Sequence, residues 1–142
     1  MSTLASIALL VFAADHLLKW LLRRALTNRS IPLGPFGSLR LVRSRMWLIR
    51  TGTSRPRVVW ATWLIAATPL VAVTVWIPSA IPWVGGLIGG SFSHALESTV
   101  RGFISDYICL RFWPAFNLAD VAIVAGAIGV MVTLTADILG TS

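Results

Sequence analysis

Between Val58 and Leu96 the chain carries no formally charged side chain, and His94 is the only titratable one in that stretch. A helix crossing a bilayer needs about 20 largely apolar residues, so the stretch is long enough for two spans. "IPSAIP" (Ile77 to Pro82) supplies a break between them. Proline lacks the amide N–H that an interior helical turn requires, and it biases the residue before it away from helix. The expected spans are 58–76 and 83–99. Two further apolar runs predict spans over 2–22 ("STLASIALLVFAADHLLKWLL") and 117–139 (Asn117 onward, with "VAIVAGAIGVMVTLTADIL"). The first run is not read as a signal peptide, because no basic segment precedes it and apolar residues resume after Asp15. Composition agrees. The chain is 56% hydrophobic and 12% charged, against about 25% charged for a soluble domain. The expectation is one domain over 1–142, an all-α membrane protein with four transmembrane helices.

Residues 23–57 are different in character. "NRSIPLGPFGS" reads as turns. "SLRLVRSRMWLIR" alternates in part, which predicts a small surface element between helices 1 and 2. A short β-sheet is expected there, with an amphipathic interfacial helix as the rival. Nine arginines fall between Arg23 and Arg57 within a net charge of +7. They flank apolar runs and lack aromatic interleaving, so nucleic acid is excluded as a partner and lipid phosphates are favoured. After helix 3 a short loop is expected, with Phe103, Tyr107, Phe112 and Trp113 suited to an interface. "GGLIGGSFSHA" in helix 3 suits close helix packing. It is not a phosphate loop, since no Gly-Lys-Ser/Thr follows. Cys109 is the single cysteine, which excludes an internal disulfide and a cysteine metal site.

Four spans put both chain ends on one side and the two longer connections on the other. Asp106 and Asp120 flank the second of these connections. Two carboxylates held close cannot both ionise cheaply, so one keeps a proton. Such a pair can activate water and stabilise the developing charge on a peptide carbonyl. The structural alternative is that Asp120 caps helix 4 or pairs with Arg111 while Asp106 is a solvated loop residue. Asp15 and Lys19 are four apart and share a helix face. They are read as an ion pair, with substrate contact as the alternative, or with Lys19 reaching to the headgroups beside Arg23 and Arg24. His94 has no His or Cys partner at metal-ligand spacing, so no metal is expected and a hydrogen-bonded role is favoured. Glu97, one helical turn on, is positioned to pair with it. Serine chemistry has no supporting Gly-x-Ser-x-Gly or Ser-Lys arrangement.

Three motifs carry a family resemblance across nearly the whole chain. "DHLLK" (Asp15 to Lys19) resembles Asp-Gln-x-x-Lys, "GFISDYI" (Gly102 to Ile108) resembles Gly-x-Val-x-Asp-Phe-Ile, and "WPAFNLAD" (Trp113 to Asp120) resembles Trp-Pro-x-Phe-Asn-x-Ala-Asp. In these motifs the chain resembles signal peptidase II, the prolipoprotein signal peptidase, an intramembrane aspartic peptidase, as a divergent member. The resemblance implies Asp106 and Asp120 as the catalytic pair, Asn117 as a polar neighbour, and Asp15 and Lys19 as support. It implies an endopeptidase that removes signal peptides from prolipoproteins before the diacylglyceryl cysteine, without a cofactor. Lipidated precursors, membrane lipids and globomycin-type peptide inhibitors are the implied partners. A monomer is expected, in the bacterial inner membrane, with the active site toward the outer face. The charge rule points the other way, because an arginine-rich loop favours the cytoplasm; the family's orientation is adopted. The chain also departs from the family. His94, Glu97 and Ser98 stand where the family has the asparagine, aspartate and arginine of Gly-Asn-x-x-Asp-Arg, and Ser44 falls where an outer-loop asparagine is usual. An impaired or re-purposed paralogue that binds lipidated peptides or a membrane partner is therefore the alternative. A small transporter or assembly subunit is a more distant one.

Overall fold

The computed structural model describes residues 1–27, 29–44 and 55–140. The apolar runs form helices close to their expected bounds: α1 (Ser2–Ala25), α2 (Pro56–Trp76), α3 (Ile81–Arg101) and α4 (Leu118–Ile138). Between α2 and α3 the proline-rich break is a 3-10 turn over Pro78–Ala80. Pro82 then falls in the first turn of α3, where a missing N–H costs nothing. Gly102 ends α3 in the left-handed conformation (φ 72°) that favours glycine.

The expected surface element is a sheet. Strands β1 (Ile31–Pro32) and β2 (Gly37–Ser44) come from the segment between α1 and α2. A third strand, β3 (Ile104–Leu110), occupies the place where a loop was expected. Its sequence "ISDYICL" is rich in β-branched and aromatic residues, and it covers an edge of β2 that would otherwise be unpaired. The order is β1-β2-β3, antiparallel throughout. The part of the expected strand that continues through residues 45–50 lies outside the described residues.

The register of β2 on β3 shifts once. Leu39 pairs with Ile108, whereas Val42 pairs with Asp106, so Arg40 and Leu41 together oppose Tyr107. This bulge decides which face each later side chain takes. Ser44, opposite Ile104, lands on the same face as Asp106. Arg43, opposite Ser105, lands on the other.

Among the described residues α1, α2 and α4 are long and apolar enough to cross a membrane. Helix α3 has the same 21-residue length as α2 and α4 but a different role. It is the central helix, and it buries Ser93, His94, Glu97 and Ser98 against its neighbours. Glycine permits that proximity. A Cβ on Gly89 would stand 2.4 Å from the carbonyl oxygen of Ala8 in α1, and one on Gly90 2.7 Å from that of Ala119 in α4. The apolar core of Leu4, Ala80, Val84 and Val130 fills the end of the bundle away from the sheet. Leu9, Leu10, Leu64, Ile65, Ile128 and Met131 are exposed on the outer helices, an apolar surface of the kind that meets lipid.

Candidate active site

The chain leaves β3, turns through Arg111–Ala115 and comes back along the same strand. Phe116 and Ile108 exchange two backbone hydrogen bonds of 3.0 Å. That return sets Asn117 beside Asp106 and starts α4 one residue later. Asn117 is the N-cap of α4: its side chain accepts from the Asp120 N–H (3.1 Å), and the Asp120 carboxylate accepts from the Asn117 N–H (2.8 Å). This reciprocal capping box satisfies two backbone donors at a helix start. The same Asn117 side chain donates through Nδ2 to Asp106 Oδ1 at 2.6 Å. One fully buried residue therefore holds both carboxylates, Asp106 through its side-chain amide and Asp120 through its backbone N–H.

The other oxygen of Asp106 accepts a hydrogen bond from Ser44 across the sheet. His94 Nε2 lies 3.2 Å from Asn117 Oδ1 and 3.6 Å from Asp120 Oδ1. Asp106 is buried, whereas the Asp120 side chain is 36% exposed. Burial pushes the Asp106 carboxyl above its ordinary range, outweighing the Ser44 and Asn117 hydrogen bonds that favour the ionised form. Tyr107, buried beside it, accepts from the Leu118 N–H at 2.8 Å, and burial pushes its hydroxyl up to about 12. Tyr107 is thus part of the frame under α4 rather than an interfacial aromatic. Phe112 and Trp113 are exposed, as expected.

A second polar cluster lies beside this one. Lys19 Nζ is 2.7 Å from Asp15 and 2.8 Å from Glu97, and all three side chains are almost wholly buried. Arg23 pairs with Glu97 and donates to Ser105 Oγ at 3.0 Å. Glu97 also accepts from the Ser105 N–H (3.2 Å) and hydroxyl (2.9 Å). Asp15 accepts from Ser93 Oγ (2.5 Å) and from the Ala119 N–H (3.2 Å) in the first turn of α4. Helices α1, α3 and α4 and strand β3 are joined by this cluster.

Asp106, Asp120, Asn117 and His94 come together, and Asp15, Lys19 and Glu97 form the adjoining support. Asp120 does cap its helix, so that reading and the proximity of the carboxylates hold at once. Four expectations need correction. Asp106 is not a solvated loop residue but a buried strand residue. Arg111 lies over the Phe112 ring rather than pairing with Asp120. Lys19 does not reach the headgroups, because two buried carboxylates hold it. Glu97 turns to Lys19 and Arg23 and not to His94, since a cation on α1 is a stronger partner than an imidazole on its own helix. Ser44 and Ser105 were missing from the expected site residues. Ser44 had a signal, its place where an outer-loop asparagine is usual; Ser105 had none.

Two solved chains share this architecture, and at their identities the likeness shows the fold. One, described as a bacterial membrane enzyme structure by the in meso method at 2.3 Å resolution, matches with a TM-score of 0.80 and 19% identity, covering 100% of this chain and 93% of that one. Another, described likewise at 1.9 Å resolution, matches at 0.76 and 20%, covering 94% and 93%. The fold is thus the one these two chains share. The profile of the signal peptidase (SPase) II family matches residues 7–136, and the chain belongs to that family. It is 30% identical over 128 residues to the lipoprotein signal peptidase of Moorella thermoacetica, covering 86% of this chain and 85% of that one. The lipoprotein signal peptidase of Xylella fastidiosa is 40% identical over 85 residues (50% of this chain, 51% of that one). That of Xanthomonas oryzae pv. oryzae is 46% identical over 57 residues (38% and 34%). Membership implies a peptidase and, with the apolar helices, marks a bacterial membrane protein.

Proposed function

We propose that the chain is an aspartic endopeptidase that removes signal peptides from prolipoproteins before the diacylglyceryl-modified cysteine. All four helices cross the bacterial inner membrane in this reading, and the carboxylates sit at its outer face. The observation that carries the mechanism is the Asn117 side chain, which holds Asp106 at 2.6 Å while capping the helix turn that bears Asp120. Asp106, whose proton is favoured by burial, keeps it and donates a hydrogen bond to the scissile carbonyl. Asp120, the more exposed carboxylate, takes a proton from the attacking water. The water oxygen bonds to the carbonyl carbon, the C–N bond breaks, and a proton passes to the leaving amine. The two groups titrate as a pair. An apolar cavity of about 200 Å³ lined by Val59, Trp63, His94 and Ile123 adjoins His94 and offers room for an apolar part of the substrate. The remaining partners in this reading are membrane lipids and globomycin-type peptide inhibitors, and the enzyme acts as a monomer.

The test is cleavage of a lipidated precursor by the purified chain in detergent, with and without a globomycin-type peptide. Asp106→Asn and Asp120→Asn are each expected to lower turnover by about 10²–10⁴-fold, the range of general acid–base catalysis. Unchanged processing in either variant would overturn the proposal. The departures at His94, Glu97 and Ser98 favour a second reading, a binder of lipidated peptides without turnover. It predicts inhibitor and precursor binding with no cleavage by the native chain.

A further inference from the structure

A polar cavity of about 530 Å³ lies on the other face of the sheet from Asp106, within the size range of ligand pockets, roughly 300–1,000 Å³. Thr27, Arg29 and Ser30 line it from the end of α1, and Arg40 and Arg43 line it from β2. The β2 bulge creates this convergence. In a regular strand residues three apart point to opposite faces, but the extra residue puts Arg40 and Arg43 on one face while Ser44 turns to the carboxylates.

No Asp or Glu is among the described residues that line the cavity. Among the described residues none of the three arginines has a carboxylate partner. Of the five acidic residues, Asp15, Glu97, Asp106 and Asp120 are engaged at the site above, and Asp137 lies at the far end of α4. The Arg43 guanidinium lies over the Phe103 ring at 4.9 Å, which fixes its head. The Thr27 hydroxyl donates to the Arg23 carbonyl, which leaves three guanidinium groups and the Ser30 hydroxyl, without a counter-charge, as the donor set that recognises phosphate oxygens. The depth fits as well. Helix α1 is long and apolar enough to cross a membrane and ends at Ala25, and Arg24 stacks on the exposed Trp20 at 3.8 Å, an aromatic anchor of the interface.

We propose that this cavity is a phosphate-ester site at the membrane surface, filled by the headgroup of an anionic phospholipid. It gives the arginines of this segment a role on the side of the membrane where the charge rule would not place them. The inference does not depend on the catalytic pair, and its readout is binding.

The full chain in neutral detergent is titrated with short-chain phosphatidylglycerol, with phosphatidylcholine of the same chain length, and with inorganic phosphate, at low and at 0.15 M salt (roughly an 8 Å screening length). Native protein is expected to bind phosphatidylglycerol and not phosphatidylcholine. The double variant Arg29→Gln/Arg40→Gln is expected to weaken that binding tenfold or more. Arg57→Gln/Arg111→Gln, with the same change in charge, is expected to weaken it less than twofold. The substituted arginines are exposed, so the variants are expected to keep the native thermal midpoint. Competition by inorganic phosphate at a comparable concentration supports the site and assigns free phosphate as its source. Equal losses in the two double variants, or equal binding of phosphatidylcholine, would overturn the proposal. Cleavage of a lipidated precursor, measured in parallel, reports separately on the carboxylates.

Discussion

A carboxyl group taken out of water favours its protonated form, and Asp106 is such a group despite its two hydrogen-bond donors. Its folded-state pKa therefore lies above its unfolded value. The native state binds this proton more tightly than the unfolded chain does, so the contribution of Asp106 to stability falls as pH rises from the unfolded value through the folded one. Once ionised, the buried carboxylate carries a desolvation penalty that an asparagine does not. Asp106→Asn is expected to match or exceed the native thermal midpoint at pH 7. The gap should close as pH drops below the ordinary carboxylate range. Thermal unfolding in detergent across pH checks this, and a variant less stable at pH 7 than at low pH, relative to native, would contradict it. Ser44 acts on the same titration with the opposite sign. Its hydroxyl supports the ionised carboxylate, so Ser44→Ala should raise the Asp106 pKa further. The alkaline limb of the cleavage profile is then expected to move to higher pH.

At the level of single elements, the start of α4 does two things with one side chain, and substitution can separate them. Asn117→Ala removes the cap, at about 0.5–2 kcal/mol for such losses, and also removes the donor to Asp106. Asn117→Ser restores an oxygen for the Asp120 N–H but not the amide that reaches Asp106. The expectation is that serine recovers most of the unfolding midpoint and little of the cleavage rate; parallel recovery of both would refute the bridging role. The same element shows what was legible in the sequence. "WPAFNLAD" holds the turn, the return residue, the cap and Asp120 within one local run, so Asn117 and Asp120 could be read from it, as Asp106 could from "GFISDYI". Strand β3 could not, because its partner β2 is far away along the chain and hydrophobic alternation does not reveal non-local pairing. The face that Ser44 takes was hidden for a related reason. Strict alternation through "SLRLVRS" assigns faces as if the strand were regular, and the bulge at Arg40–Leu41 reverses that assignment from Val42 onward. Helix α3 was legible by length and by its glycines. Its polar face, which meets the Asp15–Lys19–Arg23 face of α1, follows from its central place among α1, α2 and α4.

Across the whole molecule, the carboxylates stay in register only if three helices and the sheet keep their relative positions. No single apolar contact spans all of them, but the cluster centred on Lys19 does. Lys19 balances Asp15 and Glu97, Asp15 reaches the first turn of α4, and Glu97 and Arg23 hold Ser105, the neighbour of Asp106. Buried charges of this kind add little net stability against an apolar replacement, yet removing one partner leaves the others exposed to the full desolvation penalty. Lys19→Met leaves Asp15 with no cation and Glu97 with Arg23 alone. A loss of about 3–5 kcal/mol is expected, the range for breaking one side of a buried pair. The double variant Asp15→Asn/Lys19→Met removes the orphaned carboxylate and should recover part of that loss. Its cleavage rate should stay low, because an asparagine at position 15 accepts the Ala119 N–H more weakly than a carboxylate does. Denaturant unfolding in mixed micelles, run beside a cleavage assay, separates the two quantities. If the double variant were no more stable than Lys19→Met, the cluster would not be a charge-balanced joint, and α1 would be held to α3 by the close approach at Gly89 instead.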